Sequence, residues 1–355
     1  MNLANILSVF DIPVSNYSFE QITTGHINQS YAVINSELQH VYLLQQIDTE
    51  VFKDVPMIMN NIKVVIDHIE KNQQDSQHVE LLSLVPTQSQ KTYFESNDGR
   101  FWRLYRYIDG ITHDKLENSR EAQEAGKMFG EFLAAISDLD PDKVGVTIPD
   151  FHNMHHRFRQ FDQAKTHATA ERLMLANEEI EFAEANRAWM LDIYDKITAP
   201  DIPSHVVHND TKLSNLLFDN DGNGLAVIDY DTIMPGYIAF DFGYSVRTIC
   251  STTGEDDPDV AATRFNKDLM KAYTKGFLNQ LENILSESEK ELLADGVPYM
   301  PFIMGLRMLT DFLNNDIYYQ TRYDVHNLVR SINQFKLVKE ASHLTSEIQK
   351  ITTGK

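Results

Sequence analysis

Asp210, Asn215 and Asp229 combine the residue types that a phosphoryl-transfer site needs. The reaction requires a group that accepts the proton of an attacking hydroxyl, and oxygen ligands that hold a divalent metal ion against the phosphates of ATP. In protein kinases the base aspartate lies five residues ahead of a metal-binding asparagine, and the second metal aspartate follows on the next hairpin. Asp210 and Asn215 have that spacing, Lys212 lies between them, and Asp229 comes at the expected remove. A lone His-x-Asp carries little weight, because most acids on a protein surface are merely solvated. Here several positions agree at once.

The elements that must deliver these side chains are legible around them. A short apolar run ends in His208-Asn209-Asp210, and a loop leads to Asn215. Leu216-Leu217-Phe218 and Leu225-Ala226-Val227-Ile228 read as two strands, and Asp219 to Gly224 between them is turn chemistry. Asp229 stands at the end of the second strand, and Asp231 beyond it is a further candidate for contact with substrate or metal.

The quoted segments, with Val-Ile-Asp-Tyr-Asp-Thr-Ile-Met-Pro-Gly and the later Asp-Phe-Gly, resemble the aminoglycoside phosphotransferase and choline kinase superfamily. Asp-Thr-Lys, Asp-Thr-Ile-Met-Pro-Gly and Thr-Asp-Phe-Leu look most like the N-acetylhexosamine 1-kinases within it. The resemblance covers nearly the whole chain and implies a two-lobed, protein-kinase-like α+β fold. The expected small lobe, residues 1–108, is an antiparallel sheet that binds nucleotide; the larger lobe, 109–355, is mainly helical and carries catalysis and acceptor binding. The reaction implied is ATP plus an N-acetylhexosamine giving ADP and the sugar 1-phosphate, with Mg2+ as cofactor. Asp210 would accept or orient the proton of the anomeric hydroxyl, Asn215 and Asp229 would hold the metal, and Lys212 would offset phosphoryl charge or stand as a loop lysine. Asp241 and His208 would support the loop, while His26, Arg307 and Tyr318 would face the sugar.

Upstream, the pattern from Ser18 to Ile34 is a hairpin whose turn holds Gly25 and Asn28, placed to cover the nucleotide phosphates. The strand Val41 to Ile47 carries Gln45 where kinases place a phosphate-pairing lysine, and a neutral amide supplies no charge there. Either the metal and Lys212 supply it, as glutamine in the resembled sugar kinases implies, or the chain is a nucleotide-sensing pseudokinase. Val55 to Lys71 has a helical apolar repeat, and Glu70 on it reads as a solvated acid. Asp109-Gly110 breaks the strand Phe101 to Ile108, so Tyr107, Ile108 and Gly110 are placed at an interlobe hinge against adenine.

Asn118 to Asp138 reads as a capped amphipathic helix in which Gly126 and Gly130 permit close packing. Phe151 to Ile197 is mostly helical; His152, His155 and His156 lie there without the third ligand a zinc site needs, and read as structural or surface residues. One further helix is expected from Asp324 to Lys350.

A formal net charge of −21 disfavours nucleic acid as a partner and would attract a cationic acceptor such as an aminoglycoside or choline, if it does more than keep the chain soluble. The single cysteine, Cys250, fits a reducing cytoplasm. The first ten residues lack a signal-peptide pattern, and no apolar run approaches the ~20 residues of a membrane span.

Overall fold

Alternating apolar residues in the first third form a sheet, and a computed structural model describes residues 2–23, 27–72 and 80–353 of the chain. Helix α1 (Leu3–Leu7) precedes strands β1 (Ser18–Ile22), β2 (Gln29–Ile34) and β3 (His40–Ile47), helix α2 (Val55–Asn72), and strands β4 (Leu84–Val85), β5 (Phe94–Glu95) and β6 (Phe101–Arg106). They pair antiparallel in the order β1-β2-β3-β6-β4, with β5 also on β6. Val33, Leu44, Trp102 and Leu104 bury one face against Ile6, Leu7 and Phe10 of the N-terminal segment. Ile47 and Tyr105 join the core built by the apolar stripe of α2. That core runs on into the next part of the chain, so the two lobes share one interior.

The larger lobe holds α3 (Ser119–Ala135), α4 (Met154–His167), α5 (Ala170–Leu175), α6 (Asn177–Ile197), α7 (Ile238–Ile249), α8 (Lys267–Leu281), α9 (Glu287–Leu313), α10 (His326–His343) and α11 (Thr345–Thr353). Between α6 and α7 lie two small antiparallel pairs, β7 (His205–Val207) with β10 (Met234–Gly236) and β8 (Leu216–Phe218) with β9 (Gly224–Val227). This is the two-lobed, protein-kinase-like α+β fold. Among the described residues no helix is long and apolar enough to cross a membrane.

Where helices were expected they form, and two of those stretches are divided into shorter helices. The stretch from 151 to 197 is three helices, because the Thr169 side chain accepts from Arg172 N–H and restarts the chain as α5. The single helix expected from Asp324 is divided at Leu344 into α10 and α11. The change of direction brings Ile348 into the core beside α8 and α9.

Glycines set the closest helix contacts. A Cβ on Gly126 would stand 2.1 Å from the Tyr273 carbonyl oxygen, so α3 and α8 touch backbone to backbone. A Cβ on Gly243 in α7 would stand 2.1 Å from the carbonyl oxygen of Gly296 in α9. Gly243→Ala must push these helices apart; it should cost about 1–3 kcal/mol in urea unfolding and also lower activity, because Asp241 lies on the same turn of α7. A melt indistinguishable from that of the parent chain would refute this contact.

Candidate active site

The loop after β7 is shaped before any ligand arrives. Asn209 has φ 65°, in the left-handed region that asparagine tolerates better than most residues. Its side-chain amide donates to the carbonyls of Thr232 at 3.1 Å and Met234 at 3.3 Å. Asp241 lies in the first turn of α7 and accepts from His208 N–H at 2.9 Å and Asn209 N–H at 2.8 Å, while its carbonyl accepts from the Thr211 hydroxyl at 2.6 Å. Burial pushes the Asp241 carboxyl up to about 7, against these two N–H groups, which favour its charge. The helix cap itself is Tyr237, with no side-chain bond, so Asp241 binds the loop rather than capping.

His208 is buried against Phe129 and Phe132 of α3 and Tyr230. Its Nε2 is 2.9 Å from the Ile228 carbonyl and its Nδ1 is 3.3 Å from Asp210 N–H. A carbonyl only accepts, so Nε2 carries the hydrogen and Nδ1 accepts. Burial holds the imidazole below its ordinary pKa, which keeps it in this neutral form.

Asp210, Lys212, Asn215 and Asp229 come together on this frame. The Lys212 ammonium is 2.8 Å from Asp210 Oδ2 and 3.9 Å from Asp229 Oδ2, so it spans the two acids rather than facing solvent alone. Asn215 Nδ2 donates to the Asp210 carbonyl at 2.8 Å and to its Oδ2 at 3.1 Å. Burial raises the Asp210 pKa, but Lys212 outweighs it and holds the carboxyl well below the usual range. Asp229 has φ 66° at the start of a tight turn through Thr232. Burial first, and Asp231 second, push its carboxyl up to about 6.

Among the described residues no group of three or more His, Cys, Asp or Glu is placed to hold a metal ion. The donor set suits Mg2+ all the same, since that ion uses one or two carboxylates together with substrate phosphates. The amide nitrogen of Asn215 is committed to Asp210, which leaves its oxygen as the atom that would bind a metal.

Asp231 is used otherwise than expected. It is 1% exposed; the Arg103 guanidinium donates to both its oxygens, to Oδ2 at 2.9 Å, and Asn28 Nδ2 donates to Oδ2 at 2.6 Å. Its carboxylate is thus occupied by protein groups. Asn28, expected at the phosphates, spends its amide on Asp231 and on Asp48 N–H at 3.0 Å. Gln45 lies between Ser30 and Arg103. The candidate residues Gly25 and His26 lie outside the described residues.

At the crossing between lobes, Tyr107 N–H is taken by the Val41 carbonyl at 3.1 Å, and Ile111 pairs with Phe218 of β8. Ile108 and Asp109 between them spend no N–H on the backbone among the described residues. A Cβ on Gly110 would meet Leu217 Cβ at 2.9 Å, so this glycine is there for close approach to the β8–β9 hairpin.

Arg307 and Tyr318 line a cavity of about 680 Å³ with Phe151, Arg157 and Tyr319. Arg307 lies 5.3 Å from the Phe151 ring and 5.8 Å from the Tyr319 ring. Arg157, which sequence reasoning passed over, donates to the Phe151 carbonyl at 2.8 Å and Gln160 Oε1 at 2.9 Å, and its buried Nε has no partner. Burial, then Arg307, push Arg157 down to about 10. Asp311, also on this wall, accepts the backbone N–H groups of Tyr318 and Tyr319, each at 2.9 Å. His152 connects the cavity to the loop: its Nε2 is 3.2 Å from the Asn209 carbonyl, and burial followed by Arg307 pushes it down to about 3. His155 and His156 instead approach the carboxylates of Asp195 at 2.9 Å and Asp150 at 3.5 Å.

Residues 18–277 match the profile of the APH phosphotransferase enzyme family. The chain belongs to that family. Solved structures agree on the fold: a microcompartment-associated aminopropanol kinase (16% identity, 98% of each chain, TM-score 0.66) and a choline kinase from Cryptosporidium parvum Iowa II (16%, 97% of this chain and 94% of that one, 0.56) are both similar to it. So is spectinomycin phosphotransferase APH(9)-Ia in complex with ADP and spectinomycin (13%, 97% of this chain and 98% of that one, TM-score 0.61). In this phosphotransferase Asp229, just beyond β9, and the loop after β7 meet on a kinase scaffold.

Proposed function

We propose that this phosphotransferase transfers the γ-phosphoryl group of ATP to the anomeric hydroxyl of an N-acetylhexosamine, giving the sugar 1-phosphate and ADP. Asp210 accepts the hydroxyl proton as the new O–P bond forms and the bond to the β-phosphate oxygen breaks. The low pKa of Asp210 keeps it ionised and ready to accept at neutral pH. Lys212, held between Asp210 and Asp229, offsets charge on the transferring group. Mg2+, held by Asn215 and Asp229, supplies further neutralisation of the phosphates when bound. Ile108 and Asp109 offer N–H groups to the adenine edge.

The observation that carries the acceptor is the pair of guanidiniums in the cavity. Among the described residues neither Arg157 nor Arg307 is paired with a carboxylate. An acetamide carbonyl and ring hydroxyls accept hydrogen bonds from such groups, and Phe151 and Tyr318 offer ring faces to a pyranose. An aminoglycoside, choline or amino alcohol would bring another positive charge into this corner. Those acceptors stay the second reading because solved relatives include aminopropanol and choline kinases and the chain is strongly acidic.

Magnesium-dependent ADP release decides between them, with N-acetylglucosamine and N-acetylgalactosamine each beside its 1-O-methyl glycoside, and choline and an aminoglycoside as rivals. Turnover of the free sugars that disappears on methylation is expected; turnover of the cations alone would replace the sugar. Arg307→Met should raise KM for the sugar roughly 10- to 100-fold, the loss of a charged hydrogen bond, with KM for ATP unchanged.

A further inference from the structure

Gln45 leaves the β3 strand without the cation that protein kinases pair with a glutamate on the following helix. The helix side of that pair is missing as well. Glu70 on α2 is exposed, and Met59 is the α2 side chain beside the site, its sulfur 4.0 Å from Arg103 Nη1. The buried cation stands instead on the neighbouring strand, since Arg103 of β6 is directly opposite Gln45 in the antiparallel register. It is 1% exposed.

The bonds around it close into a circuit. Gln45 Nε2 donates to Ser30 Oγ at 2.9 Å, and Gln45 Oε1 accepts from Arg103 Nε at 2.9 Å. Arg103 grips both oxygens of Asp231, and Asn28 Nδ2 donates to Asp231 at 2.6 Å. Asn28 and Ser30 are two residues apart, so the circuit returns to its origin at the start of β2. It ties the strands β3 and β6, and Asn28 and Ser30 at the entry to β2, to the tight turn that begins at Asp229.

We propose that Arg103 is a positioning residue for phosphoryl transfer: through Asp231 it fixes the Asp229 turn against Asn28 at the entry to β2, and Gln45 is the neutral partner that lets the cation sit on β6. The lysine of other kinases is thus displaced by one strand rather than lost. This rests on the kinase reading but not on the identity of the acceptor. A fork-shaped guanidinium suits the task, because it holds both carboxylate oxygens while its Nε reaches a third group. A buried ion pair adds little net stability over an apolar pair, so its value here lies in geometry.

The consequence runs against simple restoration of the kinase pattern. Gln45→Lys puts a second cation against a buried guanidinium and removes the acceptor of its Nε. It should weaken binding of magnesium-free ADP and raise KM for ATP by about tenfold, with acceptor KM unchanged. Arg103→Met should weaken nucleotide binding further. In the double variant Gln45→Lys/Arg103→Met the lysine faces Asp231 without a competing cation, and nucleotide affinity should recover about tenfold over Arg103→Met alone.

Calorimetric ADP affinity, ATP and acceptor KM and the melting temperature would be measured for each. Nucleotide affinity that follows the melting temperature across all variants, with no recovery in the double variant, would overturn the proposal. So would Gln45→Lys with wild-type or better affinity, a result that decides the matter even if Arg103→Met gives no soluble protein. A parent chain that binds no nucleotide would sink the kinase reading itself, which separates the two failures.

Discussion

Asp210→Asn should lower kcat by ~10²- to 10⁴-fold, the span expected for a positioned proton acceptor, and leave ADP affinity close to that of the parent chain. The replacement is nearly isosteric and keeps a side-chain oxygen for Asn215 Nδ2, 3.1 Å from Asp210 Oδ2. It removes the charge that Lys212 faces at 2.8 Å and the lone pair that takes the hydroxyl proton. The frame beneath is untouched, because His208 and Asn209 are bonded to Asp241 through backbone N–H groups. Single-turnover phosphoryl transfer and calorimetric ADP binding separate the two effects. Retained transfer in Asp210→Asn would take the proton-accepting role away from this residue.

A second large effect belongs to Asp229, through both charge and pH. Its carboxyl is pushed up to about 6 by burial and by Asp231, so it holds its proton to a higher pH than an ordinary aspartate. Only the ionised form is a good oxygen ligand for Mg2+. The sign follows: kcat/KM for ATP should be half-maximal near pH ~6, rise above it and approach a tenfold loss per pH unit well below it, in the free enzyme that this parameter reports. Asp210 adds no limb there, since Lys212 holds its pKa low; a limb nearer pH 7 that persists in Asp229→Asn would belong to Asp241, whose carboxylate holds the loop. Asp229→Asn should cost ~10²- to 10³-fold in kcat, the order seen when one charge-stabilising group is removed, and flatten the profile near pH 6. An acid limb unchanged in Asp229→Asn would assign it to another group.

That these two residues come together was legible from spacing, because one loop and the next hairpin set them a short way apart along the chain. A loop and one hairpin carry Asp210, Asn215 and Asp229, and turn residues with apolar alternation announce both elements. That some element packs closely on α3 was legible for a similar reason, since Gly126 and Gly130 recur at helical spacing on an apolar stripe; only the structure shows that the element is α8.

What sequence left hidden is long-range. Arg103 looked like one more residue of an aromatic strand, and nothing in its neighbours shows that Asp231 of the other lobe lies against it. Asp231 looked free for the same reason. Arg157 lay in a polar helical stretch, and only folding α4 against α9 sets it near Arg307.

Amino-acid order by itself determined the kinase fold and the local clustering of Asp210, Asn215 and Asp229, since hydrogen-bonding and apolar periods act over a few residues. Tertiary structure alone decided that Arg103 stands opposite Gln45 against Asp231, and that Arg157 and Arg307, neither paired with a carboxylate among the described residues, line one cavity. Charge pairing acts across space rather than along the chain, so packing had to bring those partners together first.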